Sequence, residues 1–375
     1  MGNSRKTALK GVRRVVVKVG SGVISSRDHG LRPDRIASVV GQVARMIENG
    51  LEVVLVSSGA VAAGASVLGI RELASIPVRQ AAAAAGQSRL IWAYEEHFQK
   101  NELKVAQVLL TQDDVANRHR FLNARNTFAA LLGFGIVPIV NENDSVVVEE
   151  IKFGDNDTLS GLVATVVDAD LLLLLSDVDG LYTKDPGKHP DATRINEVRE
   201  VTPDIRKMAD GPGSREGTGG MITKLGTAEK LSATGIPTLL VDGTGENTAL
   251  SALAGEDVGT LFHATGTTGR KKHWLAHIAR CEGTLHLDAG ARDAIQSGKK
   301  SLLPSGISKV TGSFEMGAGV ALVGPDGDEV ARGLSNYAAV DIDRIRGRHS
   351  SEIQDILGIK AYDEVVHRDN LVVTR

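Results

Sequence analysis

The chain has 375 residues, 42% of them hydrophobic and 24% charged, with a formal net charge of −3. That length accommodates two or three domains, and that charge gives no general pull toward nucleic acid or an anionic membrane. Cys281 is the only cysteine, which excludes an internal disulfide and any multi-cysteine zinc site and fits a reducing compartment.

The opening MGNSRKTALKGVRR is basic but lacks the apolar core of a signal peptide. The run Leu171–Leu175 is far too short to span a bilayer. The expected location is cytoplasmic, with no membrane association.

VVVKVG (Val15–Gly20) reads as a buried strand ending in glycine. Arg35–Asn49 carries Ile36, Val39, Val40, Val43 and Ile47 near helical spacing and reads as an amphipathic helix. VVLVSSGA (Val53–Ala60) is a second strand running into a small-residue turn. The alanine-rich Gln80–Gln99 is helical by propensity. VAQVLL (Val105–Leu110) and IVPIVNEND (Ile136–Asp144) are further strands, separated by a helix over Arg120–Leu132. LLLLLSDVDG (Leu171–Gly180) and IPTLLVDG (Ile236–Gly243) continue the series.

Nearly continuous apolar strands alternating with helices predict a mainly parallel sheet covered on both faces. Its polar, glycine-rich segments fall at the C-terminal strand ends, where open α/β sheets bind ligands. The pattern changes after His263. A linker over 266–280 is expected to separate a catalytic domain (1–265) from a β-rich domain and tail (281–375), with a last helix over Ser351–Leu357.

Six segments carry chemistry. Lys18-Val-Gly20-Ser-Gly places a lysine inside an otherwise apolar strand, where it needs a partner. It is neither a Walker A loop nor a full GxGxxG. Ser57-Ser58-Gly59 suits either a helix cap or an anion site. Asn141–Asp144 and Gly154–Asp157 crowd polar side chains that either form solvated turns or meet a cation. Ser176-Asp177 follows the leucine strand and is either an ordinary turn or a nucleotide contact. Gly217–Lys224 (GTGGMITK) joins three glycines to a helix carrying Lys224, which suits backbone amides approaching phosphate. The ten histidines show no metal-ligand spacing, and no GxSxG elbow is present.

VVVKVGSGV, VSSGAVAAG, AAAGQSRL, RFLNARNT, PIVNENDSV, IKFGDNDTLS, LLLLLSDVDGLYTKDP, GTGGMITKL, SLLPSGI and VVHRDN occur in this order. The set resembles the bacterial glutamate 5-kinases, amino-acid kinases with a C-terminal PUA domain. The resemblance implies an αβα sandwich with a mainly parallel sheet, plus a small β-rich PUA domain. It implies ATP-dependent phosphorylation of the γ-carboxylate of L-glutamate to γ-glutamyl phosphate, the first step of proline synthesis, with feedback inhibition by proline.

Carried over motif by motif, the catalytic residues are Lys18, Lys224 and Asp157, with Asp157 holding the two lysines. Glutamate contacts fall on Ser58, Asp144, Asn156 and Asp155. ATP contacts fall on Lys18, Gly20, Ser176, Asp177, Thr218, Gly219, Gly220, Met221, Ile222, Thr223 and Lys224. Mg²⁺ is held mainly by ATP, with no protein ligand assigned. A homo-oligomer, dimer or tetramer, is implied, with glutamate-5-semialdehyde dehydrogenase as a candidate partner. Gly22 stands where the family usually has serine, and Ser176 where threonine is commoner.

Two other readings compete. One is a different amino-acid kinase, acting on acetylglutamate or aspartate. The other is RNA binding through the PUA domain. Glu282–Lys360 holds nine basic and eleven acidic residues, a net of −2, with Phe314 and Tyr337 as its aromatics. Tight nucleic-acid binding asks for a basic face with stacking residues, so nucleic acid is not the expected partner.

Overall fold

Arg14–Val19 (β1) is buried from Val15 onward and lies inside an eight-stranded sheet. The computed structural model describes residues 2–26, 30–70, 72–73, 75–146, 156–209, 220–266, 281–297, 300–360 and 362–374. The other strands of this sheet are Glu52–Ser57 (β2), Lys104–Leu110 (β3), Ile136–Glu142 (β4), Leu171–Ser176 (β5), Glu197–Val198 (β6), Thr238–Asp242 (β7) and Thr260–Phe262 (β8). Their order is β6-β8-β7-β5-β1-β2-β4-β3. β1, β2, β3, β4, β5 and β7 run parallel. β8 runs antiparallel to β7, and β6 is parallel to β8.

Strand periodicity sends alternate residues of β1 to opposite faces. Val15, Val17 and Val19 join one core with Ile36, Val39, Val40 and Val43 of the helix Pro33–Glu48. Leu90, Tyr94 and Phe98 of the helix Ile76–Gln99 complete that layer. Lys18 belongs to the opposite set, with Val16. Against β1 and β5 packs the helix Asn156–Val166, and against that helix packs Met221–Ala233.

Glycines set how closely two pairs of helices approach. A Cβ on Gly64 would overlap the Ala82 carbonyl, and one on Gly86 would overlap the Ala60 carbonyl. The helices Ala60–Leu68 and Ile76–Gln99 therefore meet backbone to backbone. A Cβ on Gly161 would come within 2.8 Å of the Thr227 methyl, where Asn156–Val166 meets Met221–Ala233.

The basic opening of the chain forms a helix, Gly2–Leu9. Arg5 anchors it. The guanidinium is buried, donates to the carbonyls of Glu256 (2.5 Å) and Gly259 (3.2 Å), and lies 3.6 Å from the Asp257 carboxylate. The strong apolar strands are where the sequence places them. The short strands β6 and β8 carry no periodic signal and were not expected. The helix expected over Gln80–Gln99 begins earlier, at Ile76, with Pro77 in its first turn where a missing N–H costs nothing.

The chain divides into two units, Met1–Gln112 with Arg125–Thr267, and Asp113–Ala124 with Thr268–Arg375. In the second unit, Cys281–Leu287 (β9), Ile307–Gly312 (β10), Gly319–Val323 (β11), Glu329–Leu334 (β12) and Leu371–Val373 (β13) form a sheet ordered β10-β9-β11-β12-β13. Its core gathers Leu285, Leu287, Val320, Leu322, Ile342 and Ile353. The expected last helix is observed as Ile353–Leu357, led in by a 3₁₀ turn over Ser350–Glu352. Arg292, Arg332, Arg346 and Lys360 each lie against a carboxylate. No described helix is long and apolar enough to cross a membrane.

Candidate active site

The C-terminal ends of β1, β2, β4 and β5 converge, and the helices Asn156–Val166 and Met221–Ala233 aim their first turns at the same place. Asp157 sits in the first turn of Asn156–Val166 with no solvent exposure. Lys18, near the end of β1, is 4% exposed, and its Nζ lies 2.5 Å from Asp157 Oδ1. Lys224, in the first turn of Met221–Ala233, is 7% exposed and donates to Asp157 Oδ2 at 3.0 Å. Thr223 Oγ1 donates to the same oxygen at 3.1 Å.

Burial alone would push the Asp157 carboxyl up, but the charges of Lys18 and Lys224 outweigh it and hold the group at about 2. Asp157 is thus a fixed anion, and two lysines against one carboxylate leave the cluster one net positive charge. A buried ion trio is weak evidence for stability, because desolvation offsets much of the attraction. It does fix where two ammonium groups stand.

Beside this cluster lies a second, uncharged network. Asn156 Nδ2 donates to Ser57 O (3.1 Å), Ser58 Oγ (2.9 Å) and Asn141 Oδ1 (3.0 Å), with two protons shared among the three acceptors. Asn141 Oδ1 also accepts from the Glu142 amide at 2.9 Å, and Asn141 Nδ2 donates to Gln87 Oε1 at 2.8 Å. The Ser57 hydroxyl pairs with the Tyr94 hydroxyl at 2.9 Å. Burial pushes the Tyr94 phenol well above its ordinary value, partly offset by that hydrogen bond. Asp144, half-buried in the 3₁₀ turn Asp144–Val146 that follows β4, is raised by burial and partly drawn back by Arg79.

At the end of β5, Ser176 Oγ donates to Asp177 Oδ1 at 3.2 Å. Gly22 leaves the space that this carboxylate fills, since a Cβ there would stand 3.1 Å from Asp177 Oδ2. Gly20 donates its amide to Leu175 O at 3.0 Å, tying the turn after β1 to β5. Gly220 caps the helix that begins at Met221, and Ile222 is exposed beside it. Asp155, Thr218 and Gly219 lie outside the described residues. Among the described residues, no group of three or more His, Cys, Asp or Glu side chains could hold a metal ion.

So the structure brings Lys18, Asp157, Lys224 and Thr223 into one cluster and links Asn156 to Ser58. The sequence assigns no role to Gln87 or Gly161, and marks Asn141 only as part of a polar cluster at a strand end. The Gly86-Gln87 pair inside an alanine-rich helix was the available signal, as a glycine there marks close backbone approach.

Two buried ammonium groups held by one carboxylate can offset the negative charge of a phosphoryl group in transfer. The amino acid kinase family profile matches residues 13–242. The chain belongs to the amino acid kinase family. A PUA domain profile matches residues 283–357. Within the family the chain is 51% identical to the glutamate 5-kinase of Geobacter sp. strain M21, over 98% of this chain and 100% of that one. It is likewise 51% identical to the glutamate 5-kinase of Geobacter sulfurreducens, over 98% and 100%. It is 48% identical to that of Moorella thermoacetica, over 98% of each. Among solved structures, a UMP kinase from Bacillus anthracis aligns over 68% of this chain and 97% of that one, at a TM-score of 0.47 and 17% identity.

Proposed function

We propose that this amino acid kinase transfers the γ-phosphoryl group of ATP to the γ-carboxylate of L-glutamate. The Lys18–Asp157–Lys224 cluster carries the proposal: two buried ammonium groups held by one anion at the strand ends. The full-length similarity to glutamate 5-kinases supports the choice of acid.

A side-chain carboxylate with a pKa of about 4.3 is already ionised at neutral pH, so its oxygen needs no general base. That oxygen bonds to the γ-phosphorus while the bond from phosphorus to the β–γ bridging oxygen breaks, giving γ-glutamyl phosphate and ADP. The difficulty is the meeting of two anions. Lys18 and Lys224 offset the repulsion and stabilise charge on the transferring group. Asp157 keeps the lysines in place and takes no proton.

Ser58, Asn156, Asp144 and Asp155 hold glutamate. Gly20, Ser176, Asp177 and the Thr218–Lys224 segment, with Gly219, Gly220, Met221, Ile222 and Thr223, hold the nucleotide. Mg²⁺, held mainly by the ATP phosphates, would neutralise part of their oxygen charge. Proline acts as a feedback inhibitor, and the working form is a homo-oligomer.

Hydroxylamine trapping of acyl phosphate tests the reading, with ATP, Mg²⁺ and glutamate, acetylglutamate or aspartate. Signal with glutamate alone, reduced by proline, is expected. Signal with acetylglutamate or aspartate instead would move the substrate. No signal from folded, ATP-binding protein would overturn the activity.

A further inference from the structure

Two backbone groups fix the direction of every amide in the network beside the lysines. The Ser57 carbonyl can only accept, so the group of Asn156 that faces it must be Nδ2. The Glu142 amide can only donate, so the group of Asn141 that faces it must be Oδ1. Asn156 Nδ2 then meets Asn141 Oδ1 correctly, and Asn141 must turn Nδ2 toward Gln87. Gln87 is thereby obliged to present Oε1 to Asn141.

The relay leaves defined free ends. Among the described residues, Gln87 Nε2 takes no hydrogen bond and neither does Asn156 Oδ1. The first is a donor and the second an acceptor. Ser58 Oγ, accepting from Asn156, keeps its own proton to donate. Two donors and one acceptor, held by one relay, can complement a carboxylate and an ammonium carried by one substrate.

We propose that Gln87 is a specificity-determining residue, its Nε2 donating to the α-carboxylate of the amino-acid substrate while Asn156 Oδ1 accepts from the α-ammonium. This rests on the assignment of Asn156 to the glutamate site. Gln87 stands where it does because Gly86, its neighbour, lets the helix Ile76–Gln99 lie against the Ala60 carbonyl. Through Oε1 it also orients Asn141, so it is a positioning residue and a substrate contact together. A substrate acylated on nitrogen loses the ammonium and gains bulk against Asn156.

Two variants separate these roles. Gln87→Glu keeps an acceptor for Asn141 and removes the donor. Gln87→Ala removes both. Losing a hydrogen bond to a charged group raises KM for glutamate by about tenfold or more in either variant. KM for ATP is expected to stay within about twofold, since no nucleotide contact changes. Melting temperature, read alongside, reports the fold, and Gln87→Glu carries the test if Gln87→Ala unfolds. A wild-type KM for glutamate in Gln87→Glu overturns the donor role. An equal rise in KM for ATP and glutamate also overturns it, because a general loss of structure would then account for both. Asn156→Ala is the reference: if it leaves KM for glutamate unchanged, the site assignment itself falls, whatever Gln87 does.

Discussion

Gly161 packs against Thr227, and a Cβ on it would stand 2.8 Å from the threonine methyl. Gly161 follows Asp157 by one helical turn, and Thr227 follows Lys224 by three residues. The contact therefore sets the distance between the two helices whose first turns carry the anion and one of its cations. Gly161→Val is expected to push the helices apart, lengthen the Lys224–Asp157 contact, and lower kcat by about tenfold or more. A variant with lowered melting temperature but unchanged kcat would show that the spacing serves stability alone.

Lys224→Ala removes one of the two ammonium groups at the transferring phosphoryl. A loss of about 10²–10³-fold in kcat is expected, by comparison with removing one preorganised charge-stabilising donor elsewhere. Steady-state kinetics with saturating ATP and glutamate measure it, with circular dichroism to check the fold.

Asp157 makes stability depend on acid. Its folded pKa, about 2, lies below the ordinary value of 3.8. The stabilisation is therefore full above the unfolded value and is lost as pH falls from there through the folded one. Denaturant melts of wild type and Asp157→Asn between pH 7 and pH 3 should show a difference that shrinks below pH 4. A difference independent of pH would mean that the carboxylate charge is not what Asp157 contributes.

Asp144 shifts the other way. Burial raises its carboxyl and the nearby Arg79 charge partly offsets that. If ionised Asp144 holds the substrate ammonium, kcat/KM for glutamate falls as the pH drops through this raised value. Arg79→Ala removes the offset, so the acid limb of the profile should move to higher pH. An unmoved limb would separate Arg79 from Asp144.

Arg5 is remote from these groups and serves the fold. Arg5→Ala strands the carbonyls of Glu256 and Gly259, at a cost of about 2–4 kcal/mol. Denaturant melts should show that loss with KM for glutamate and ATP unchanged.

What could be read from sequence follows from signal length. β1, β2, β4, β5 and β7 are runs of Val, Leu and Ile long enough to declare a buried parallel sheet, and a lysine inside such a run asks for a partner. Asp157 supplies it. β6 and β8 have two and three residues, too few for any period, so the reversal of direction at the sheet's edge was hidden. Gln87 was hidden for another reason. In an alanine-rich helix it reads as a solvated side chain, and only the backbone contact at Gly86 turns it toward Asn141. Tertiary contacts of that kind leave no periodic trace.

The Gly64–Gly86 crossing has a bearing on how this protein can vary. The smallest possible enlargement at either position meets a carbonyl oxygen that cannot rotate away. In a randomised library selected for growth without supplied product, both positions should return glycine almost alone. The exposed flank of the same helix, around Trp92, should accept many residues. Remodelling of the acid-binding wall would then come by exchanging the tips of Gln87 and its neighbours, with the helix axis held where it is.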